Sequence, residues 1–177
     1  MKCGILGTDI ILMFARKGGP MIYLLIICIV FLADFYLKTW IEVKSRKELP
    51  ITLADGHIEL RRLHNKGLAG SRLENKPRTA TLISSLAFIG CILLAVPVLF
   101  KKGVRTDKAA LAMIIGGAAG NLFDRIGRGY VVDFITFPKA KIKQIRRFVY
   151  NLADLFIFLG SALLLIRELF RTLSGKS

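Results

Sequence analysis

Apolar positions cluster in four long runs along this chain: residues 21–41 (MIYLLIICIVFLADFYLKTWI), 79–100 (TATLISSLAFIGCILLAVPVLF), 109–127 (AALAMIIGGAAGNLFDRIG) and 149–168 (VYNLADLFIFLGSALLLIRE). Each approaches the roughly 20 residues that a helix needs to cross a bilayer core. The pattern predicts an all-α membrane protein, a bundle of four transmembrane helices. The connections are unequal: a long polar stretch (42–78), a tight basic turn (101–108, KKGVRTDK) and a third segment (128–148). Within the first, "ITLADGHIELRRL" alternates imperfectly, so that Ile51, Leu53, Ile58, Leu60 and Leu63 line one face of short strands around a "DG" turn. This predicts a small β-hairpin platform on the membrane surface. Within the last, "FPKAKIKQIRRFVY" sets Ile142, Ile145 and Val149 at helical spacing opposite lysines and arginines, a pattern for an amphipathic helix lying in the interface.

Composition supports the membrane reading. At 177 residues the chain has room for one domain, but 54% hydrophobic residues and a mean hydropathy of +0.54 are too apolar for an ordinary soluble one. Residues 21–168 are expected to form a single transmembrane domain and 169–177 a cytoplasmic tail. Residues 1–20 are expected to be a cytoplasmic extension, or an artefact of a start assigned upstream of Met21, since "RKGGPM" could be encoded by a purine-rich stretch like a ribosome-binding site. The first run is too long for a signal-peptide core and lacks a small-residue cleavage pattern, so it is expected to remain attached. Cys3, Cys28 and Cys91 show no metal or disulfide spacing, and His57 and His64 read as solvated loop side chains. No metal is expected. The net charge of +15 suggests contact with anionic lipid headgroups; no basic stretch is interleaved with aromatics in the manner of a nucleic-acid reader, and none is expected to bind there.

Four spans put both termini on one side. A bare count of Lys and Arg places that side outside, because the long connections, with Arg125, carry sixteen against ten in the short turn and termini. The turn, however, has four basic residues in eight, whereas 42–78 is offset by Glu42, Glu48, Asp55, Glu59 and Glu74. Density therefore favours cytoplasmic termini and an extracytoplasmic platform.

The serpentine path gathers the intramembrane polar groups. Asp34 and Lys38 come late in the first span, Asn121, Asp124 and Arg125 late in the third, and Asn151 and Asp154 early in the fourth. Odd spans end, and even spans begin, at the same face, so these groups crowd one edge of the bundle with Asp133 and the loop residue Asn65. Spacings of three and four put each set on one helix face. Asp34 with Lys38 reads equally well as a local ion pair. Carboxylates in a membrane bundle cost about 2.5–3.5 kcal/mol on insertion scales and usually serve a function. Gly116 and Gly120, with Gly117 alongside, let the third helix approach its neighbours closely. The terminal "SGKS" lacks the earlier glycine and the following helix of a phosphate-binding loop. With Asp124 assigned to the nearby Arg125, Asp133 and Asp154 remain. If they face each other they cannot both ionise cheaply, and the shared proton suits aspartyl hydrolysis without metal or cofactor.

"DFYLK" (34–38), "NKG" (65–67), "GGAAGNLFDR" (116–125), "GYVVDFI" (129–135) and "YNLAD" (150–154), in this order, resemble the motif series of bacterial lipoprotein signal peptidase, signal peptidase II. The resemblance spans about residues 21–168. It implies a catalytic dyad of Asp133 and Asp154, with Asp34 and Lys38 organising the first helix and Asn65 holding the substrate backbone. Asn121, Asp124, Arg125 and Asn151 would form the polar shell, with Gly117 among the supporting residues. The implied substrate is a prolipoprotein whose cysteine carries diacylglycerol, cut on the N-terminal side of that cysteine in the bacterial cytoplasmic membrane by a monomer. Sensitivity to globomycin would follow. One motif departs: "NKGLAGSRLENKP" has Leu68 and Gly70 and no Phe before Pro77, where the family usually has a small and aromatic run.

Two other classes compete. A transporter or proton relay also places acids inside a small bundle, but it needs polar groups across the membrane depth, and the second run has no ionisable residue between Arg78 and Lys101 except Cys91. A non-catalytic relative that binds lipoproteins is disfavoured by retention of both aspartates.

Overall fold

A computed structural model of the chain describes residues 20–44, 48–68, 72–101 and 103–175. The extension expected over residues 1–20 lies outside them except for Pro20, as does Gly70 of the divergent loop. The elements run α1 (Pro20–Val43), β1 (Ile51–Leu53), β2 (Ile58–Asn65), α2 (Pro77–Phe100), α3 (Arg105–Gly127), β3 (Val131–Thr136), α4 (Lys143–Arg147) and α5 (Leu152–Leu173).

The helices are built inside out relative to a soluble protein. Along α1, Leu24, Leu25, Ile29, Leu32 and Tyr36 are exposed, while Asp34 and Lys38 are fully buried. That distribution is stable only where the surroundings are as apolar as the side chains. Stretches of three helices, Met21–Val43, Pro77–Val98 and Arg105–Gly127, are long and apolar enough to cross a membrane. With 24 residues, α1 reaches roughly 36 Å at the helical rise, beyond the hydrocarbon thickness. α5 is of similar length, 22 residues, but Asp154 in its first turn and Arg167, Glu168 and Arg171 near its end confine the uncharged stretch to residues 155–166. It continues to Leu173, into the expected tail.

Small residues bring the helices together. A Cβ on Gly120 would sit 2.7 Å from Asp34 Oδ2 in α1, and one on Gly117 would sit 2.6 Å from the Ala153 carbonyl in α5. α3 is therefore squeezed between α1 and α5, as its glycine pattern suggested.

The hairpin forms as expected, with β1 and β2 antiparallel across a turn at Ala54–Gly56. Its faces need correction: Leu53 and Leu63 are exposed, and an irregularity between Leu60 and Leu63 breaks the alternation. The platform is also larger than the hairpin. β3 joins as a third strand in the order β1-β2-β3, pairing Leu63 with Asp133 and Asn65 with Val131. The sequence predicts no strand in the connection 128–148. The run Val131–Ile135 is apolar except at Asp133 and reads as no periodic strand, because it is covered on both faces. Val132 and Phe134 pack with Ile41, at the end of α1, into a small core bordered by Leu37, Trp40, Tyr130 and Leu152. The expected interfacial helix is confined to the five residues of α4, with Ile142 before it and Phe148 after it.

Candidate active site

The sheet places its inner edge where α1 and α3 end and α5 begins, and all the singled-out polar residues meet there. Lys38 Nζ lies 2.7 Å from Asp34 Oδ2 and 3.1 Å from Asp124 Oδ2. It also donates to Asn121 Oδ1 at 2.9 Å. Two carboxylates and one amide oxygen thus surround this buried ammonium, which offsets the cost of burying its charge. The Asp34–Lys38 pair is local, as one reading had it, but it also braces the neighbouring helices: Asp34 Oδ1 accepts from the Ala153 amide at 2.8 Å, in the first turn of α5.

Asn121, fixed by Lys38, donates to Asp154 Oδ1 at 2.8 Å. Asn151 is the N-cap of α5 in a reciprocal capping box: its Oδ1 accepts from the Asp154 amide at 2.9 Å, and its own amide donates to Asp154 Oδ2 at 3.2 Å. Its remaining group, Nδ2, donates to Asp133 Oδ1 at 2.7 Å. Asn151 therefore touches both aspartates. The other oxygen of Asp133, Oδ2, accepts from Asn65 Nδ2 at 2.9 Å, from the end of β2.

Asp133 is 3% exposed. Burial, reinforced by the neighbouring charge of Asp154, pushes its carboxyl up to about 7, against the opposing pull of the Asn65 and Asn151 amides and of Lys38. A carboxyl that holds its proton to neutrality, next to a second carboxyl, can both accept and donate a proton.

Asp124 corrects an assignment. It does not pair with Arg125; it pairs with Lys38, lies 3.4 Å from Arg128 Nε, and accepts from the Val132 amide at 3.2 Å. The i to i+1 spacing never allowed the expected pair, since adjacent helix residues point in different directions. Arg125 instead donates to the Gly67 carbonyl at 2.8 Å and to the Asn121 carbonyl at 3.3 Å. The Gly67 amide in turn donates to Asn65 Oδ1 at 3.0 Å, so the start of the divergent loop is tied into the network. Gly117 packs on Ala153, one residue from Asp154.

Sequence reasoning missed Arg128, which also donates to Thr39 Oγ1 at 3.1 Å and joins α3 to α1. His64 is solvent-exposed as expected, but it is not in a loop. This residue belongs to β2, where its ring stacks on Tyr130 at 4.1 Å and its Nε2 lies 2.8 Å from Glu42 Oε1. Among the described residues no group of three or more His, Cys, Asp or Glu side chains is placed to hold a metal ion.

The peptidase A8 family model, described as signal peptidase (SPase) II, matches residues 26–170. A protein of Fusobacterium nucleatum subsp. nucleatum named lipoprotein signal peptidase is 31% identical over 153 residues, covering 86% of this chain and 89% of its own. One of the same name from Caldicellulosiruptor bescii is 41% identical over 144 residues, covering 81% and 88%. A solved bacterial membrane enzyme, determined by the in meso method, superposes with a TM-score of 0.73 at 24% identity, covering 88% of this chain and 91% of its own. That likeness concerns the fold.

Proposed function

The chain belongs to the signal peptidase II family, and we propose that Asp133 and Asp154 are its catalytic pair. It is a membrane peptidase that removes signal peptides from prolipoproteins. In the proposed chemistry the two carboxyls hold one proton between them. The ionised member takes a proton from water, whose oxygen attacks the scissile carbonyl, while the protonated member donates to the carbonyl oxygen. Collapse of the tetrahedral species breaks the C–N bond: the carboxyl that took water's proton passes it to the departing amine, and the other carboxylate recovers its proton from a hydroxyl of the gem-diol as the new carboxyl group forms. No covalent intermediate forms.

The observation that carries this reading is the Asn151 bridge: one side chain and its own amide hold Asp133 and Asp154 together. Asn65, Asn121, Asn151 and Lys38 orient the pair, and Asp34, Asp124, Arg125 and Gly117 keep the surrounding elements in place. The reading takes the monomer as the acting unit. Gathering the acids at one edge suits a reaction at the membrane surface better than a relay through it.

The finer topology is part of the proposal. α5 is read as the fourth span, because its length matches α3 and its charges lie at its ends. The termini are cytoplasmic, and the sheet lies on the outer face of the cytoplasmic membrane, where an exported substrate arrives. By resemblance the cut falls N-terminal to the diacylglyceryl cysteine. The purified chain should cleave a lipidated prolipoprotein, with mass spectrometry locating the lipid on the new N-terminal residue. Binding without cleavage by verified folded protein would favour a non-catalytic lipoprotein binder.

A further inference from the structure

Between the two aspartates the chain makes a closed excursion. The Phe134 and Ile135 amides donate to the Tyr150 carbonyl at 2.8 and 2.7 Å, and the Tyr150 amide donates back to the Ile135 carbonyl at 2.8 Å. This neck lies two residues after Asp133 and four before Asp154. Everything from Phe137 to Val149 hangs outside it.

The excursion has an uneven composition. It contains Lys139, Lys141, Lys143, Arg146 and Arg147, and no Asp or Glu occurs between Asp133 and Asp154. Lys139 donates to the Asp55 carbonyl at the hairpin turn. Residues 141–148 form one continuous exposed run. Within it Ile142 is 57% exposed, and Ile145 and Phe148 are each 37% exposed. Four cations that have no acidic partner among the described residues, interleaved with three bare apolar side chains, match the chemistry of a surface that is anionic outside and hydrocarbon beneath.

We propose that residues 141–148 dock on anionic phospholipid headgroups and, by drawing on the Ile135–Tyr150 neck, hold Asp133 and Asp154 in register. The lipid is a regulator of the site. Its attraction falls with salt, since the cations are solvent-exposed. The charge pattern favours a lipid surface over an acidic protein because apolar groups lie among the cations, level with them in the sequence. The effect on cleavage rests on the peptidase reading; docking itself does not.

The test therefore has two arms. In the full chain with Cys3, Cys28 and Cys91 replaced by Ser, a polarity-sensitive dye is attached at Gln144→Cys, and the protein is reconstituted in phosphatidylcholine vesicles with or without phosphatidylglycerol. Dye emission should shift to the blue with phosphatidylglycerol and return at high salt. The shift should vanish in Lys141→Gln/Lys143→Gln/Arg146→Gln/Arg147→Gln. In the second arm, without dye, phosphatidylglycerol should raise the cleavage rate of the parent protein several-fold and that of the quadruple variant little, with equal rates in phosphatidylcholine alone. Emission that ignores phosphatidylglycerol, or responds equally in the variant, overturns the docking. A response to soluble polyglutamate but not to anionic vesicles assigns the patch to a protein partner and also overturns it. Docking with unchanged parent cleavage overturns the coupling. Absence of cleavage in every lipid refutes the peptidase reading and leaves the dye result standing.

Discussion

Replacing Asn65 by Ala removes one of the two side-chain amides that face Asp133, the donor 2.9 Å from its Oδ2, and leaves the Asn151 donor on Oδ1. A hydrogen bond to a charged group has a net worth of about 1.5–3 kcal/mol, against about 1 kcal/mol for one to a neutral group. The Asn65 amide therefore favours the ionised form of Asp133 by about 1.4 kcal/mol, or one pKa unit. The carboxyl, already at about 7, should rise in Asn65→Ala. In a dyad that works with one proton, activity is lost on the alkaline side when that proton leaves, and the constant belongs to the pair. The alkaline limb of kcat/KM for a lipidated prolipoprotein should therefore move upward by about one unit. The overall rate should also fall, because Asn65 Oδ1 anchors the Gly67 amide. Limb position is independent of that amplitude, so a profile recorded across the neutral and alkaline range separates the two effects. A uniform loss with the limb unmoved, or a limb displaced toward acid, would refute the reasoning.

Three further outcomes are expected. Lys38→Met leaves Asp34 and Asp124, 0% and 1% exposed, without their shared cation; thermal unfolding in detergent should show a loss of about 3–5 kcal/mol, and an unchanged Tm would count against the buried pairing. Gly117→Ala puts a Cβ 2.6 Å from the Ala153 carbonyl and should cost about 1–3 kcal/mol with slower cleavage, as α5 is pushed from α3 beside Asp154; wild-type stability and rate would show that the contact yields freely. In intact cells Glu74→Cys should react with an impermeant thiol reagent and Gly103→Cys only after permeabilisation, whereas the reverse pattern would invert the topology.

Much of the helical layout could be read from hydropathy, because the bilayer demands a length and an apolarity that few other contexts do. The clustering of Asp34, Asn121, Asn151 and Asp154 followed from chain direction alone. β3 escaped because Val131, Val132 and Phe134 are buried on both sides of the strand, which erases the alternation that reveals half-buried strands. The Asp124 partner is not legible locally, because Lys38 lies on another helix and no sequence spacing relates the two. His64 gave no local signal at all: its partners, Glu42 and Tyr130, are brought by α1 and by the residue preceding β3. The bridging role of Asn151 was only half visible. Its capping of Asp154 is a local spacing, but its reach to Asp133 depends on the sheet.

The dyad itself is tested most directly by Asp133→Asn and Asp154→Asn, each purified, checked for membrane insertion and thermal stability, and assayed on a lipidated prolipoprotein. An amide keeps the shape of the carboxyl but cannot take a proton from water or return one. Each variant is expected to remain folded and to lose cleavage by a factor of about 10²–10⁴ or more. Near-wild-type cleavage by either folded variant would contradict the assignment of Asp133 and Asp154 as the pair that carries the reaction.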